Sequence, residues 1–240
     1  MYYAAICSHK NNFCMNYLGS NFQTIVYNKH MQGFKKELKD AYNADAKRRD
    51  SNEDKREQWK LDLRDEFVKL LRNEEKHTIL ELGAGAGIDS KYFMDNGFNI
   101  LATDLSDEMV KMCMKRGLKA KVLDLYDIDT LENKFDAVFG LNVLLHVPLK
   151  DLPKILGKIA NRLNSDGIFY YGVYGGVDEE KTITDETKMN MPRFFSFLSD
   201  EKLLELTKND FDVIKFDTNN FNIRSKTPGF HFQSLFLRKR

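Results

Sequence analysis

Ile79-Leu80-Glu81-Leu82-Gly83-Ala84-Gly85-Ala86-Gly87-Ile88-Asp89 reads as a buried strand that breaks into a glycine turn and enters a helix. Each glycine serves a physical purpose, since one allows the tight turn, one lets a ligand approach the backbone, and one lets the helix lie closely on the strand. A Gly-x-Gly-x-Gly match carries little weight by itself. It gains weight from Asn99-Ile100-Leu101-Ala102-Thr103-Asp104, a second apolar run that ends in a carboxylate at the distance where such folds hold a ribose.

The spacing separates two ligand classes. Dinucleotide sites use Gly-x-Gly-x-x-Gly, which opens room for a pyrophosphate at a helix N-terminus. Here the third glycine comes one residue early and Ile88 holds the later position, which disfavours a nicotinamide oxidoreductase. With Glu81 just before the turn, the pattern resembles motif I of the class I S-adenosylmethionine-dependent methyltransferases. Further segments resemble that family in order. They are Leu123-Asp124-Leu125-Tyr126-Asp127, then Phe135-Asp136-Ala137-Val138-Phe139-Gly140, then Leu141-Asn142-Val143-Leu144-Leu145-His146-Val147-Pro148, then Asp166-Gly167-Ile168-Phe169-Tyr170-Tyr171-Gly172-Val173-Tyr174. Ser165-Asp166-Gly167 stands where the family usually has Pro-Gly-Gly, a departure that affects turn geometry. The similarity runs from about Glu66 to the C-terminus.

This resemblance implies a Rossmann-like α/β fold: a seven-stranded, mostly parallel sheet with an antiparallel last strand and helices on both faces. It implies S-adenosyl-L-methionine as cofactor. Asp104, with Leu105 beside it, would take the ribose hydroxyls, and the other reading of Asp104 is an N-cap acid before Ser106. Asp124 would meet the adenine amino group and the Leu125 amide a ring nitrogen; Asp127 competes for the first role, and Asp124 is chosen because it directly follows Val122-Leu123. Gly83, Gly85 and Gly87 would form the turn, and Leu141 would close the cofactor site. Glu81 interrupts an apolar strand, where an unpaired buried carboxylate is costly, so a cofactor ammonium, the amides of the turn or a salt bridge should partner it. Tyr42 and Arg48 resemble lid residues of related enzymes.

Composition fits an ordinary enzyme. The chain has 240 residues and a net charge of +1, so no long-range field points to nucleic acid or an anionic membrane surface. No apolar run is long enough to span a bilayer, and the first seven residues lack the basic leader and apolar centre of a signal peptide. Cys7, Cys14 and Cys113 are an odd number without a disulfide framework, which favours a reducing cytoplasm. His9 with Cys7 and Cys14 has no second cluster to complete a metal site, so no metal is expected.

Residues 1–58 read as an N-terminal helical appendage or lid and 59–240 as the cofactor-binding domain. The dense mixed charges from Lys47 to Arg56 suit a solvated helix face, while Leu63, Phe67, Leu70 and Leu71 mark the buried side of the next helix. Ser106 should cap a helix whose Met109, Val110 and Cys113 face the sheet, making Cys113 core rather than nucleophile. Gly175 to Pro192 reads as polar and irregular, with Phe194, Phe195 and Phe197 after it. Alternating runs at 211–216 and 230–237 read as a closing strand pair.

His146, the one histidine inside the matched motifs, is the candidate general base, or else a residue that sets its loop by hydrogen bonding. The acceptor is expected to be a small molecule or small peptide methylated on O or N. A non-catalytic cofactor-binding regulator is the alternative.

Overall fold

The computed structural model describes residues 20–50, 57–184, 191–220 and 227–240, with side chains in the first stretch described from 33 to 49. Helices α1 (Ser20–Asp50) and α2 (Gln58–Asn73) lead into strand β1 (Thr78–Leu82). Then follow α3 (Ile88–Asp95), β2 (Asn99–Asp104), α4 (Asp107–Lys115), β3 (Lys119–Val122), β4 (Phe135–Leu141), α5 (Leu152–Arg162) and β5 (Leu163–Gly175). The chain closes with β6 (Glu179–Thr184), β7 (Pro192–Phe197), α6 (Asp200–Thr207), β8 (Phe211–Asn219) and β9 (His231–Lys239).

Seven strands form one sheet in the order β3-β2-β1-β4-β5-β9-β8. Strands β1 to β5 pair in parallel, and β9 is antiparallel to both its neighbours, β5 and β8. The order reverses between β1 and β4, so the carboxyl ends of these strands open a crevice where α/β sheets bind ligands. That is the seven-stranded, mostly parallel architecture with an antiparallel last strand expected from the sequence, and the last strand is inserted beside the fifth.

Both faces of the sheet are covered, which is why β1 is buried from Ile79 to Leu82. On one face Leu152, Ile155, Leu156 and Ile159 of α5 meet Leu80, Leu82 and Phe169. On the other, Phe67 of α2 is fully buried among aromatic rings, with centroids of Phe139, Phe93, Tyr170 and Phe236 at 5.3, 5.7, 5.9 and 6.5 Å. Of the expected apolar stripe on α2, Phe67 and Leu71 are buried and Leu63 and Leu70 partly so, while Val68 joins them.

Two segments differ from expectation. Residues after Gly175 are not simply irregular: β6 and β7 form an antiparallel ribbon with Glu179 opposite Phe197 and Thr184 opposite Pro192. Charges at Glu179, Glu180 and Lys181 mask the β-branched run that follows, because an exposed ribbon needs no apolar face there. The fifth strand starts at Leu163, with Asp166 taking a positive φ of 56° and a register shift opposite it in β4.

The chain divides into two units at Lys36/Glu37. Residues 37–50, grouped above with the 1–58 appendage, share a unit with the sheet. The readings placed on Cys7, His9 and Cys14 and on residues 51–56 lie outside the described residues. Among the described residues, no helix is long and apolar enough to cross a membrane, and no group of His, Cys, Asp and Glu is arranged to hold a metal.

Replacing Phe67 by Ala should lower the unfolding free energy by about 3–5 kcal/mol, the usual cost of emptying a buried aromatic site. Urea denaturation followed by circular dichroism measures it; a loss below about 1 kcal/mol would mean that the four surrounding rings close the space.

Candidate functional site

The glycine turn divides its labour by position. A Cβ placed on Gly83 would come 2.6 Å from Val143 Cγ2, so this residue lets the segment after β4 close against the turn. One on Gly87 would come 2.8 Å from both Cys113 Sγ and Leu118 Cδ1. The third glycine therefore serves the approach of α4 and the residue before β3, rather than the helix-on-strand contact expected. Gly85 is different: its φ is +56° and a Cβ there would meet nothing within 4 Å. Its peptide borders open space, as a ligand-facing backbone must.

Asp104 sits at the end of β2 with both carboxylate oxygens oriented by backbone donors. Gly85 N–H donates to Oδ2 at 2.9 Å, and Ser106 N–H donates to Oδ1 at 2.8 Å. Burial pushes the Asp104 pKa up, against the opposing pull of those amides and of Arg49. The alternative role of N-cap falls instead to Ser106, whose Oγ accepts from Met109 N–H at 3.1 Å. Leu105 next to it is half-buried. Leu123 N–H donates to the Asp104 carbonyl at 2.9 Å, which brings the segment carrying Asp124 alongside.

Asp124 caps the 3-10 turn Leu125–Thr130 and accepts from Tyr126 N–H at 2.9 Å. Asp124 and Leu125 are half-buried, whereas Asp127 is exposed. Glu81 is buried and accepts from the Ser90 hydroxyl of α3. This hydroxyl is a kind of partner other than the three raised from the sequence. Cys113 donates to the Gly85 carbonyl at 3.3 Å, and burial pushes its thiol up to about 12, so it is core.

Across the crevice stands the end of β4. Leu141 is half-buried, and Asn142 adopts φ +54°, with its N–H donating to the Gly172 carbonyl at 2.7 Å. Asn142 Oδ1 is buried and has no hydrogen-bond partner among the described residues. An acceptor in that state has capacity for a further donor. Sequence reasoning passed over Asn142, although a polar residue tolerant of positive φ directly after an apolar strand is a readable signal.

The remaining side is built by α1. Asn43 Oδ1 accepts from the Ser106 hydroxyl at 2.6 Å and from Glu108 N–H at 3.3 Å, and Lys39 pairs with Asp107 at 2.6 Å. The start of α4, three residues beyond Asp104, is therefore pinned to α1. Asp45 is buried and accepts from Arg48 through both carboxylate oxygens, at 2.5 and 2.6 Å, and from Arg49 Nε at 2.8 Å.

Tyr42 and His146 meet, their oxygen and Nε2 separated by 2.6 Å. His146 Nδ1 lies 2.7 Å from the Phe194 carbonyl. A carbonyl only accepts, so Nδ1 carries the proton, and Nε2 takes the Tyr42 O–H as its donor. Burial lowers the His146 pKa from 6.5 to about 4, with the nearby charges of Arg193 and Arg49 acting in the same direction. His146 is thus a neutral imidazole with both nitrogens engaged. The sequence suggested a base or a loop-setting residue; the geometry ties its basic nitrogen to Tyr42, which had been read with the cofactor residues.

Residues 80–171 match a family described as "Methyltransferase domain". A ubiquinone biosynthesis O-methyltransferase of Hydrogenovibrio crunogenus is 28% identical over 116 residues, 45% of this chain and 47% of that protein. The chain thus spans about half the length of this curated relative. Among solved structures, the DhpI–SAH complex superposes with a TM-score of 0.65 at 20% identity, covering 85% of this chain and 97% of its own. The 1,6-didemethyltoxoflavin-N1-methyltransferase of Burkholderia thailandensis does so with a TM-score of 0.56 at 18% identity, covering 91% and 89%. These two likenesses show the fold.

The neutral His146 has a consequence for stability. Because its pKa is lowered on folding, its contribution is intact above pH 6.5 and is lost as pH falls toward about 4, on the order of 3 kcal/mol in total. Nuclear magnetic resonance of labelled histidine should find the Nδ1–H tautomer at neutral pH and titration near 4; a midpoint near 6.5 would contradict the buried geometry.

Proposed function

We propose, from the premise that this chain belongs to the class I methyltransferases, that it transfers a methyl group from S-adenosyl-L-methionine to an O or N atom of a small molecule. The observation that carries the reading is the Asp104 carboxylate, oriented by Gly85 and Ser106 beside the open space at Gly85. Each Asp104 oxygen accepts one backbone N–H and keeps further acceptor capacity, which suits two adjacent ribose hydroxyls. Hydrogen bonds to a charged group are worth about 1.5–3 kcal/mol each. When bound, the cofactor supplies a methyl made electrophilic by its sulfonium.

The chain's own residues have separable roles in this reading. Asp124 and the Leu125 amide would hold the adenine, with Leu105 and Leu141 as apolar walls. Gly83 and Gly87 let the turn close, and the first N–H groups of α3 favour a carboxylate. Buried Glu81 and the unpartnered Oδ1 of Asn142 are acceptors suited to an ammonium. Arg48, held by Asp45, would stiffen α1 as the lid. Most of the rate would come from orientation, since well-placed reactants reach effective molarities of roughly 10^5 to 10^8 M.

His146 acts through Tyr42 in this proposal. Its Nε2 accepts the Tyr42 proton and so turns the phenol oxygen's lone pairs outward, where they can accept from the methyl acceptor and orient it. The three cysteines, with the Cys113 thiol free and buried, support a reducing cytoplasmic setting as part of the same proposal.

Three measurements check this. Asp104→Ala should weaken S-adenosylhomocysteine binding at least tenfold, about 1.4 kcal/mol, in calorimetry. In the wild type the affinity should fall between neutral and mildly acid buffer, because ribose donors favour the ionised Asp104 and binding must then expel its proton. An unchanged affinity in the variant would overturn the ribose assignment. Tyr42→Phe and His146→Ala should each lower kcat by about 10^2, and the double variant should lose little more. Full additivity would mean that the two residues act separately.

A further inference from the structure

Around His146 the side chains repeat a pattern on two sides. The Tyr42 ring lies 5.5 Å from the imidazole, and the Arg49 guanidinium lies 4.8 Å from the centre of that ring. The Phe195 ring lies 4.9 Å from the imidazole on the β7 side, and the Arg193 guanidinium lies 5.3 Å from its centre. The imidazole is thus flanked by two aromatic rings, each covered by an arginine. The bond from His146 to the Phe194 carbonyl fixes β7 in this place.

The two arginines differ in their partners. Arg49 is satisfied by Asp45. Arg193 has no acidic partner among the described residues, and its Nε is buried without a hydrogen-bond acceptor among them. Leaving a guanidinium donor in that state costs free energy unless an anion arrives. A guanidinium presents a planar fork of N–H donors that matches two oxygens of a carboxylate or phosphate.

We propose that Arg193 is the acceptor-recognition residue, and that the methyl acceptor is an organic oxyanion whose carboxylate or phosphate pairs with this guanidinium beside the Phe195 ring. This deepens the methyltransferase reading and rests on it. The same charges account for part of the depressed basicity of His146, so an anion bound there would raise it.

The test uses the full chain saturated with S-adenosylhomocysteine and titrated in a calorimeter with benzoate, phenyl phosphate and benzamide. At least one of the two anions should bind ten or more times tighter than neutral benzamide. Arg193→Gln should erase that preference while leaving S-adenosylhomocysteine affinity unchanged, and Arg193→Lys should keep only part of it. The proposal is overturned if neither anion is preferred over benzamide, or if the preference survives in Arg193→Gln. Should that variant fail to fold, the wild-type comparison and Arg193→Lys decide alone. A wild-type chain that fails to bind S-adenosylhomocysteine would refute the methyltransferase reading instead, which separates the two failures.

Discussion

The site depends on one carboxylate being held still. Asp104 takes N–H donors from the glycine turn after β1 and from the start of α4, so it links two strand ends across the switch point of the sheet. Burial disfavours its charge, and the two amides compensate in part. This arrangement orients an acceptor without consuming its remaining lone pairs. A ligand with two neighbouring hydroxyls then meets a partner that needs no reorganisation.

The side built by α1 handles charge differently. Asp45 is buried and neutralises arginines of its own helix, and Asn43 joins α1 to the first turn of α4. Tyr42 then projects from a stretch tied at both ends, and its hydroxyl meets an imidazole kept neutral by burial. In the proposed reading of α1 as a lid, its attachment by side-chain hydrogen bonds and a few buried apolar residues, rather than by strand pairing, would let it detach without unfolding the core.

The core of the fold was legible because its signals are local and repeated. Each apolar run from Ile79 to Tyr174 ends in a turn or cap that the structure uses, as Ser106 does for α4. Reading Asp104 and Asp124 at strand ends needed only their place after apolar residues. What escaped depends on tertiary contact. The β6 strand of the β6–β7 ribbon is exposed and charged, so its alternation has no apolar face to display. Glu81's bond to Ser90 and Tyr42's to His146, 104 positions apart, arise from packing between elements, and spacing along the chain carries no trace of them. The unit boundary at Lys36/Glu37 falls inside one continuous helix, so no turn or linker marks it, although charged residues become dense close to it. Asn142 alone among the missed residues left a readable trace, a polar side chain at the point where β4 must turn sharply.

The most direct test of the central claim is a crystal structure of the chain with S-adenosylhomocysteine. The account predicts both ribose hydroxyls on the Asp104 carboxylate, the ligand passing over Gly85, and its ammonium within hydrogen-bond reach of Asn142 Oδ1. Density for the ligand anywhere else, or an Asp104 carboxylate still turned only to Gly85 and Ser106 with the ribose elsewhere, would contradict it.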